Sequence, residues 1–239
     1  MTDVTTETGA DSRISVRVCA LIPAHNEAGT IGAVVAGAAP HVEQVMVIDD
    51  GSTDGTGDRT RAAGGMSARL DRRGGKGTAL RHGLALAAGA GFTHVLFMDG
   101  DGQHRPEDIP SLLRVLRETD ADLVIGCRTF DDRPMPRSRY FSNTVGSRIA
   151  SKLIGQPVPD SQSGFRLARL ACLQRLALRS TRYEFEMEVL IKMSRSGCRL
   201  ALAPISTVYD GRTARSKMHP VRDTIRICIW SLLFRFAGS

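Results

Sequence analysis

Short, nearly continuous apolar runs recur along this chain, with longer segments of mixed character between them. Runs rich in Val, Ile and Leu predict strands at 15–24, 42–50, 93–99, 121–128 and 198–205, and the segment 66–71 predicts a further short strand. The intervening segments predict helices at 27–39, 75–91, 105–118 and 183–197. Strands that alternate with helices are typical of an α/β domain whose mostly parallel sheet is covered on both faces.

The regular alternation changes after residue 128. A basic loop and a further helix are predicted within 130–155, and the segment 158–170 is predicted to be loop or short strand. No repeat or linker interrupts the pattern, so we expect one domain, residues 15–219. Residues 1–14 are polar and lack an apolar stretch, which predicts a disordered tail rather than a secretory signal.

Composition narrows the class of protein. Apolar residues make up 42% of the 239 residues, as in a globular domain. The five cysteines are scattered without a CxxC pair, which disfavours a disulfide framework or a zinc site and favours a reducing compartment. The net charge is +7, and residues 199–239 are especially basic. This excess of positive charge is compatible with an anionic partner, namely phosphates, nucleic acid or an anionic membrane surface. It is equally compatible with ordinary solvated surface charge.

Carboxylates follow three of the predicted strands. They are Glu27, Asp49, Asp50, Asp99 and Asp101. Ligands of parallel α/β sheets bind beyond the carboxyl ends of the strands, so we expect these groups to meet in one crevice. Their mutual repulsion favours a divalent cation or hydrogen-bonded hydroxyls at that place.

The stretch FMDGDGQH puts Asp99, Asp101 and Gln103 at alternate positions after an apolar run. Hard oxygen ligands suit Mg²⁺ or Mn²⁺, and Mg²⁺ completes its shell with water and substrate phosphates. A DxD pattern alone is also compatible with a solvated Asp/Gly turn. Its position at the end of a buried strand favours the metal site.

Two other segments resemble known ligand-binding loops, but each lacks a residue that such a loop requires. In DDGSTDGT, Arg61 stands at the twelfth place of a calcium loop, where glutamate is needed. In GGKGT, Gly77 stands where a phosphate loop needs Ser or Thr. A GxGxxG after the first strand is absent, which disfavours a dinucleotide-binding fold, and GxSxG and HExxH are absent as well.

Six sequence motifs occur along the chain in an order that is typical of one protein family. They are LIPAHNEAGTI, VIDDGSTDGT, RGGKGTALRHG, FMDGDGQHRPED, GCR and DSQSGFRL. Together they resemble family 2 glycosyltransferases of the GT-A fold, most closely the polyprenyl-phosphate (dolichol-phosphate) mannose and glucose synthase branch. The resemblance covers roughly 16–217. It implies a single nucleotide-diphospho-sugar transferase domain with a mostly parallel central sheet flanked by helices.

The resemblance also implies an activity and a donor site. The enzyme would move mannose or glucose, with inversion, from a GDP- or UDP-linked donor to a polyprenyl phosphate. The donor-side positions are Pro23, His25, Glu27, Asp49, Asp50 and Lys76. The first three match the segment that holds the nucleoside, the aspartates match an acid that contacts base or ribose, and the lysine lies near the nucleotide. Asp99, Asp101 and Gln103 match a trio that holds Mg²⁺ or Mn²⁺ against the diphosphate.

The acceptor side of the resemblance depends on arginines. The positions are Arg128, Arg137, Arg139, Arg212, Arg215, Ser216 and Lys217. Arginine forks bind phosphate oxygens, and a phosphate acceptor needs no general base. Asp101, Arg128 and Arg212 are therefore the expected catalytic residues. Glu186 joins them as a base for a hydroxyl acceptor, unless the acids of YEFEMEVL form a solvated helix face.

The last segment, 220–239, is predicted to be an amphipathic helix. Its longest uncharged stretch, Ile227–Phe234, has eight residues between two arginines, and a membrane span needs about 20. Trp230 and Phe234 fit a helix at a membrane interface, against the alternatives of packing on the domain or a dimer contact. We expect a cytoplasmic protein, peripheral at the membrane face, without a nucleic-acid partner; the oligomeric state stays open.

Three other functions are weighed against this one. A family 2 enzyme with a soluble hydroxyl acceptor, such as a natural product or an oligosaccharide, is the runner-up. A sugar nucleotidyltransferase normally carries a GGxGTR-like loop after its first strand, where IPAHNEAG stands instead. A non-catalytic binding protein predicts loss of the metal trio, and all three ligand positions are filled.

Overall fold

The computed structural model describes residues 15–128 and 137–206, without the side chains of 137–143 and 145. The strands are β1 (Val18–Ala24), β2 (Gln44–Asp49), β3 (Met66–Arg69), β4 (His94–Phe97), β5 (Leu123–Arg128), β6 (Arg166–Arg169) and β7 (Leu200–Ile205). The helices are α1 (Ile31–Ala38), α2 (Thr56–Ala62), α3 (Lys76–Gly89), α4 (Ile109–Thr119), α5 (Arg137–Ile154), α6 (Leu170–Gln174) and α7 (Phe185–Arg195).

The seven strands form one sheet in the order β3-β2-β1-β4-β6-β5-β7. All pairings are parallel except those of β6, which runs antiparallel between β4 and β5. The predicted α/β fold with a mostly parallel sheet is thus confirmed. Because β6 opposes both of its neighbours, β4 and β5 share a direction, and the carboxyl ends of all strands but β6 lie at one edge of the sheet.

Helices cover both faces of the sheet, and the alternation along each strand explains two separate cores. Leu21 of β1 packs with α3 and α7, through residues such as Leu80 and Leu190. Ile22 of the same strand packs on the other face with α1 and α4. Successive side chains of a strand point to opposite faces, which is why a continuously apolar run is required.

Every predicted strand and helix in the described part of the chain is present, but some boundaries and small elements differ. The first helix begins at Ile31, because the Thr30 and Ile31 N–H groups first donate to the Glu27 carbonyl in a turn. Helix α2 lies partly within a segment predicted to be loop only; the Asp54 carboxylate accepts the Thr56 N–H at its start. The short helix α6 was not predicted.

Several predictions fall on residues outside the described part. These are the tail 1–14, the basic loop within 129–136 and the C-terminal segment 207–239 with its predicted helix. Where the structure describes the chain, none of the helices is both long and apolar enough to cross a membrane.

Candidate active site

The turn after β4 carries the acidic motif at the carboxyl edge of the sheet. The Thr30 hydroxyl donates to the Gly100 carbonyl at 2.7 Å, and the Gln103 N–H donates to Asp101 Oδ1 at 3.0 Å. Gly102 takes a φ of +79°, which a glycine adopts without strain. These contacts hold the two carboxylates of the motif at fixed places on the tip of the strand.

A largely buried lysine, with a side chain 17% exposed, neutralises the first of those carboxylates. Lys76 Nζ lies 2.6 Å from Asp99 Oδ1 and 2.6 Å from Glu186 Oε1. Burial opposes the ammonium charge, but the two carboxylates outweigh it and raise the pKa of Lys76. Burial likewise opposes ionisation of Asp99, yet the lysine keeps the pKa of Asp99 below its usual value. Lys76 and Asp99 are therefore both charged at neutral pH.

Asp101 has a different electrostatic setting from its neighbour. Burial, and then the negative charge of Asp99, raise the pKa of Asp101 to about 6. Two carboxylates in one turn with one ammonium leave an excess of negative charge. A divalent cation at Asp101 removes that repulsion, so the donor set fits a hard cation, with the Gln103 carboxamide as a further oxygen ligand.

His104 lies at the end of this turn, and the sequence analysis did not select it as a site residue. The Asp99 N–H donates to His104 Nδ1 at 3.0 Å, and the imidazole stacks on Phe165 with ring centroids 5.0 Å apart. Burial lowers the pKa of His104 to about 4, so the ring is neutral and accepts this bond. The sequence signal that could have identified His104 is its place at the end of the motif FMDGDGQH.

The segment 158–170 packs directly against the acidic turn. A Cβ added at Gly164 would lie 3.1 Å from Asp99 Oδ2 and 3.2 Å from Lys76 Nζ. The neighbouring Arg166 is buried, and its guanidinium donates to the Glu186 carbonyl at 2.5 Å and to the Ser161 carbonyl at 2.6 Å. The motif DSQSGFRL thus ties the turn after β4 to α7.

The two acids at the end of β2 are bound to neighbouring loops and do not project freely into the predicted donor site. Asp50 accepts the N–H groups of Gly74 and Gly75 at 2.6 and 2.8 Å, which fixes the loop before Lys76. Asp49 accepts the Ser52 N–H at 2.7 Å and pairs with the exposed Arg69 at 3.1 Å. Both aspartates are buried. They position the loops on either side of the crevice.

The predicted nucleoside segment lies beside those loops. His25 Nδ1 lies 2.9 Å from the Asp50 carbonyl, so this nitrogen carries the proton and donates. The Glu27 N–H donates to Thr56 Oγ1 at 2.9 Å. Pro23 lines a small cavity together with Lys76, and this cavity continues to α7. The structure therefore brings the residues predicted for the donor side together along one edge.

On the acceptor side, a buried aspartate holds an arginine by two bonds. Arg128 Nε lies 2.6 Å from Asp160 Oδ2, and Arg128 Nη2 lies 2.7 Å from Oδ1. The Asp160 side chain is 1% exposed and that of Arg128 is 26% exposed. Arg128 ends β5, so its guanidinium is fixed at the crevice edge by a residue that sequence reasoning did not select.

The expectation of a solvated acidic face on α7 is wrong. Glu184, Glu186 and Glu188 are all buried. Glu186 is bound to Lys76, and Glu188 lies 2.7 Å from Lys192 Nζ and accepts the Ser180 N–H at 2.8 Å. The carboxylates of Glu186 and Glu188 are thus engaged in buried ion pairs.

The structure describes only part of the remaining residues that were predicted for the acceptor side. Arg137 and Arg139 lie in the first turn of α5, where the backbone alone is described. Arg212, Arg215, Ser216 and Lys217 lie outside the described residues. Their predicted contacts with phosphate stay predictions.

Comparisons with known proteins identify the family of the chain. The profile of the Glycosyl transferase family 2 matches residues 19–176. An undecaprenyl-phosphate mannosyltransferase of Micrococcus luteus is 31% identical over 239 residues, covering 93% of this chain and 97% of the relative. A polyprenol monophosphomannose synthase of Mycolicibacterium smegmatis is 29% identical over 227 residues, covering 89% and 84%.

A similar fold is found among solved structures. Glucosyl-3-phosphoglycerate synthase of Mycobacterium tuberculosis, in complex with Mn²⁺, UDP and phosphoglyceric acid, superposes with a TM-score of 0.75 at 24% identity. The match covers 94% of this chain and 80% of that one. At this level of identity, the likeness shows a shared fold.

Proposed function

This chain belongs to glycosyl transferase family 2, and on that premise we propose that it transfers mannose or glucose from a nucleotide sugar to a polyprenyl phosphate. It is a glycosyltransferase with an α/β fold of the GT-A type. Relatives named for polyprenyl-phosphate substrates, matched over nearly the whole chain, support the acceptor class.

The ion pair between Lys76 and Glu186 is the observation that carries the choice of acceptor. Glu186 was the expected general base for a hydroxyl acceptor, and a carboxylate held by an ammonium at 2.6 Å is a poor base. A phosphate acceptor brings its own anionic oxygen and needs no base. The pair therefore favours a polyprenyl phosphate over a soluble hydroxyl acceptor.

On the donor side, Asp101 and Gln103 would hold Mg²⁺ or Mn²⁺, with Asp99 next to them. When bound, such an ion neutralises charge that builds on the departing nucleoside diphosphate. Lys76 adds a fixed positive charge beside the same turn. The loops fixed by Asp50 and the segment from Pro23 to Glu27 enclose the nucleoside.

On the acceptor side, Arg128 presents its guanidinium to the acceptor phosphate in the orientation that Asp160 sets. Arg137, Arg139, Arg212, Ser216 and Lys217 are proposed to complete this phosphate site. An acceptor phosphate oxygen attacks the anomeric carbon, and the bond from that carbon to the diphosphate breaks with inversion. Positioning and charge stabilisation supply the rate enhancement.

We place the enzyme at the cytoplasmic face of the membrane as a peripheral protein. The basis is the basic, partly apolar segment 220–239 together with a lipid-linked acceptor. A chain ending before Val221 is expected to leave liposomes for the soluble fraction in a flotation assay. If both forms partition alike, that segment does not anchor the enzyme.

A radiolabelled-sugar assay tests the activity. GDP-mannose, UDP-glucose and UDP-GlcNAc are each offered with a polyprenyl phosphate, or with soluble sugar alcohols, with and without Mn²⁺. We expect label in the lipid fraction with one donor, a requirement for the cation, and loss of transfer in Asp101→Ala. Label in the soluble alcohols alone would overturn the proposed acceptor.

A further inference from the structure

Two cysteines and an aspartate meet at the end of the sheet opposite the crevice. Asp122 directly precedes β5, Cys172 lies in α6 and Cys198 stands two residues before β7. One ligand atom from each residue, a carboxylate oxygen and two sulfurs, lies within 4.8 Å of the other two. The three residues are far apart in the sequence, so their meeting is a product of the fold.

The charges around this cluster cancel before any ion is added. Asp122 Oδ1 accepts Arg169 Nε at 2.8 Å, and Arg199 is bound to Asp120. Arg169 Nη2 donates to the Asp120 carboxylate at 2.7 Å as well. Two carboxylates thus face two guanidinium groups. A divalent cation with two thiolates adds no net charge to this balance.

The surroundings also suit a fixed metal site. Both cysteines are partly buried and pack against the apolar core beneath α3 and α7. The Asp122 carboxylate is oriented by two donors, Arg169 Nε and the Arg199 N–H at 2.9 Å. Hydrogen bonds of this kind to a ligating carboxylate orient it toward a metal.

We propose that Asp122, Cys172 and Cys198 bind Zn²⁺ at a site separate from the catalytic crevice. Thiolates are soft ligands that select zinc over Mg²⁺ or Mn²⁺. Ligand atoms of a tetrahedral zinc–thiolate site lie about 3.8 Å apart, so small side-chain shifts complete the geometry and leave a fourth position for water. Each thiol releases its proton to solvent when its sulfur binds the metal.

The site would fasten three segments of the sheet. Leu123 of β5 pairs with Ala168 of β6 on one side and with Leu200 of β7 on the other. The three ligands precede or follow these strands, so one ion would join the start of β5 to both of its neighbours. The scattered cysteines in the sequence had argued against zinc, because spacing alone does not reveal this meeting.

Titration of the reduced full-length chain with Co²⁺ tests the proposal, because sulfur-to-cobalt charge-transfer absorption arises only when thiolates bind the ion. We expect a band that saturates at about one ion per chain and is displaced by Zn²⁺. Cys172→Ser and Cys198→Ser should each lose it, and Asp122→Asn should weaken binding by about tenfold or more. Absence of the band in the unmodified chain overturns the proposal.

Two controls separate this site from other metal binding. Cys127→Ser changes a cysteine outside the cluster and should keep the band, as should Asp101→Ala in the crevice. Zinc should also raise the thermal unfolding midpoint of the unmodified chain but not that of Cys198→Ser. A band that survives both cysteine substitutions would place the thiolates elsewhere and contradict the site. Sugar transfer is measured separately, so either proposal can fail alone.

Discussion

The two ends of the sheet both pair carboxylates with cationic side chains, but they differ in burial. At the carboxyl end, the Lys76 side chain is 17% exposed and its partner Glu186 11% exposed. At the amino end, Arg199 and Asp120 are 59% and 69% exposed. Buried ion pairs cost desolvation and are rarely kept for stability alone. The burial of the Lys76–Glu186 pair agrees with the proposed role of the carboxyl end in binding substrate phosphates, whereas the Arg199–Asp120 pair at the amino end is an exposed surface pair.

The largest expected effect comes from Lys76→Ala. It leaves the buried Glu186 and the partly exposed Asp99 without their shared cation, which should lower the free energy of unfolding by about 3–5 kcal/mol. Urea denaturation measures this loss, and calorimetry with nucleotide and Mn²⁺ should show weaker binding. Asp120→Asn at the amino end is the matched control, because asparagine tolerates the φ of +47° at this position, and its urea midpoint should stay close to that of the unmodified chain. Equal effects of both substitutions would remove the distinction between the two ends.

Asp160→Asn should have the next largest effect. It removes the charge that holds the Arg128 fork, at an expected cost of about 1–3 kcal/mol in stability. Since Arg128 is proposed to bind acceptor phosphate, KM for the polyprenyl phosphate should rise while nucleotide affinity stays unchanged. Steady-state kinetics with each substrate varied in turn checks this split. A loss confined to nucleotide affinity would place Asp160 on the donor side.

Gly164→Ala tests how closely the acceptor-side segment packs on the acidic turn. A methyl group 3.1 Å from Asp99 Oδ2 forces a shift of a few tenths of an ångström in the turn. We expect a loss of about 1 kcal/mol in stability and roughly tenfold in turnover. Gly89→Ala is the control, since nothing lies within 4 Å of its added Cβ. Unchanged turnover in Gly164→Ala would mean that the turn tolerates displacement.

The smallest expected effect is a pH dependence at the amino end. Burial, and then Arg169, lower the pKa of His94 to about 4. The unfolded chain binds this proton near pH 6.5, so stability falls as pH drops from about 6.5 towards 4. The expected loss from this group is about 1 kcal/mol between pH 7 and 5.5. Urea curves of the unmodified chain and His94→Leu over this range measure the difference; parallel curves would contradict the assignment.

The sequence predicted the position of the acidic turn better than the ion pairs around it, for a physical reason. Asp99 and Asp101 stand directly after a strand, so strand direction alone places them at the ligand-binding edge. The pairs Lys76–Glu186 and Arg128–Asp160 join distant segments, and no local pattern reveals which cation meets which carboxylate. For the same reason the acids of α7 were misread as solvated.

Small elements were missed for a related reason. Thr56–Ala62 contains glycine and polar residues without a clear apolar face, yet it forms α2 because Asp54 caps its start and Thr56 and Thr60 are buried. Within 158–170 the choice between loop and strand was open, and pairing with β4 and β5 decided it. Tertiary contacts, rather than local preference, set these elements.

The antiparallel strand β6 has a consequence for synthesis of the chain. While only the first 128 residues have left the ribosome, β4 has no partner beyond β1, and β5 has no place in the sheet. The N–H and C=O groups along that side of β4 form an open edge until residues 166–169 emerge and insert. We therefore expect nascent chains that stall in this interval to expose a strand edge that favours aggregation.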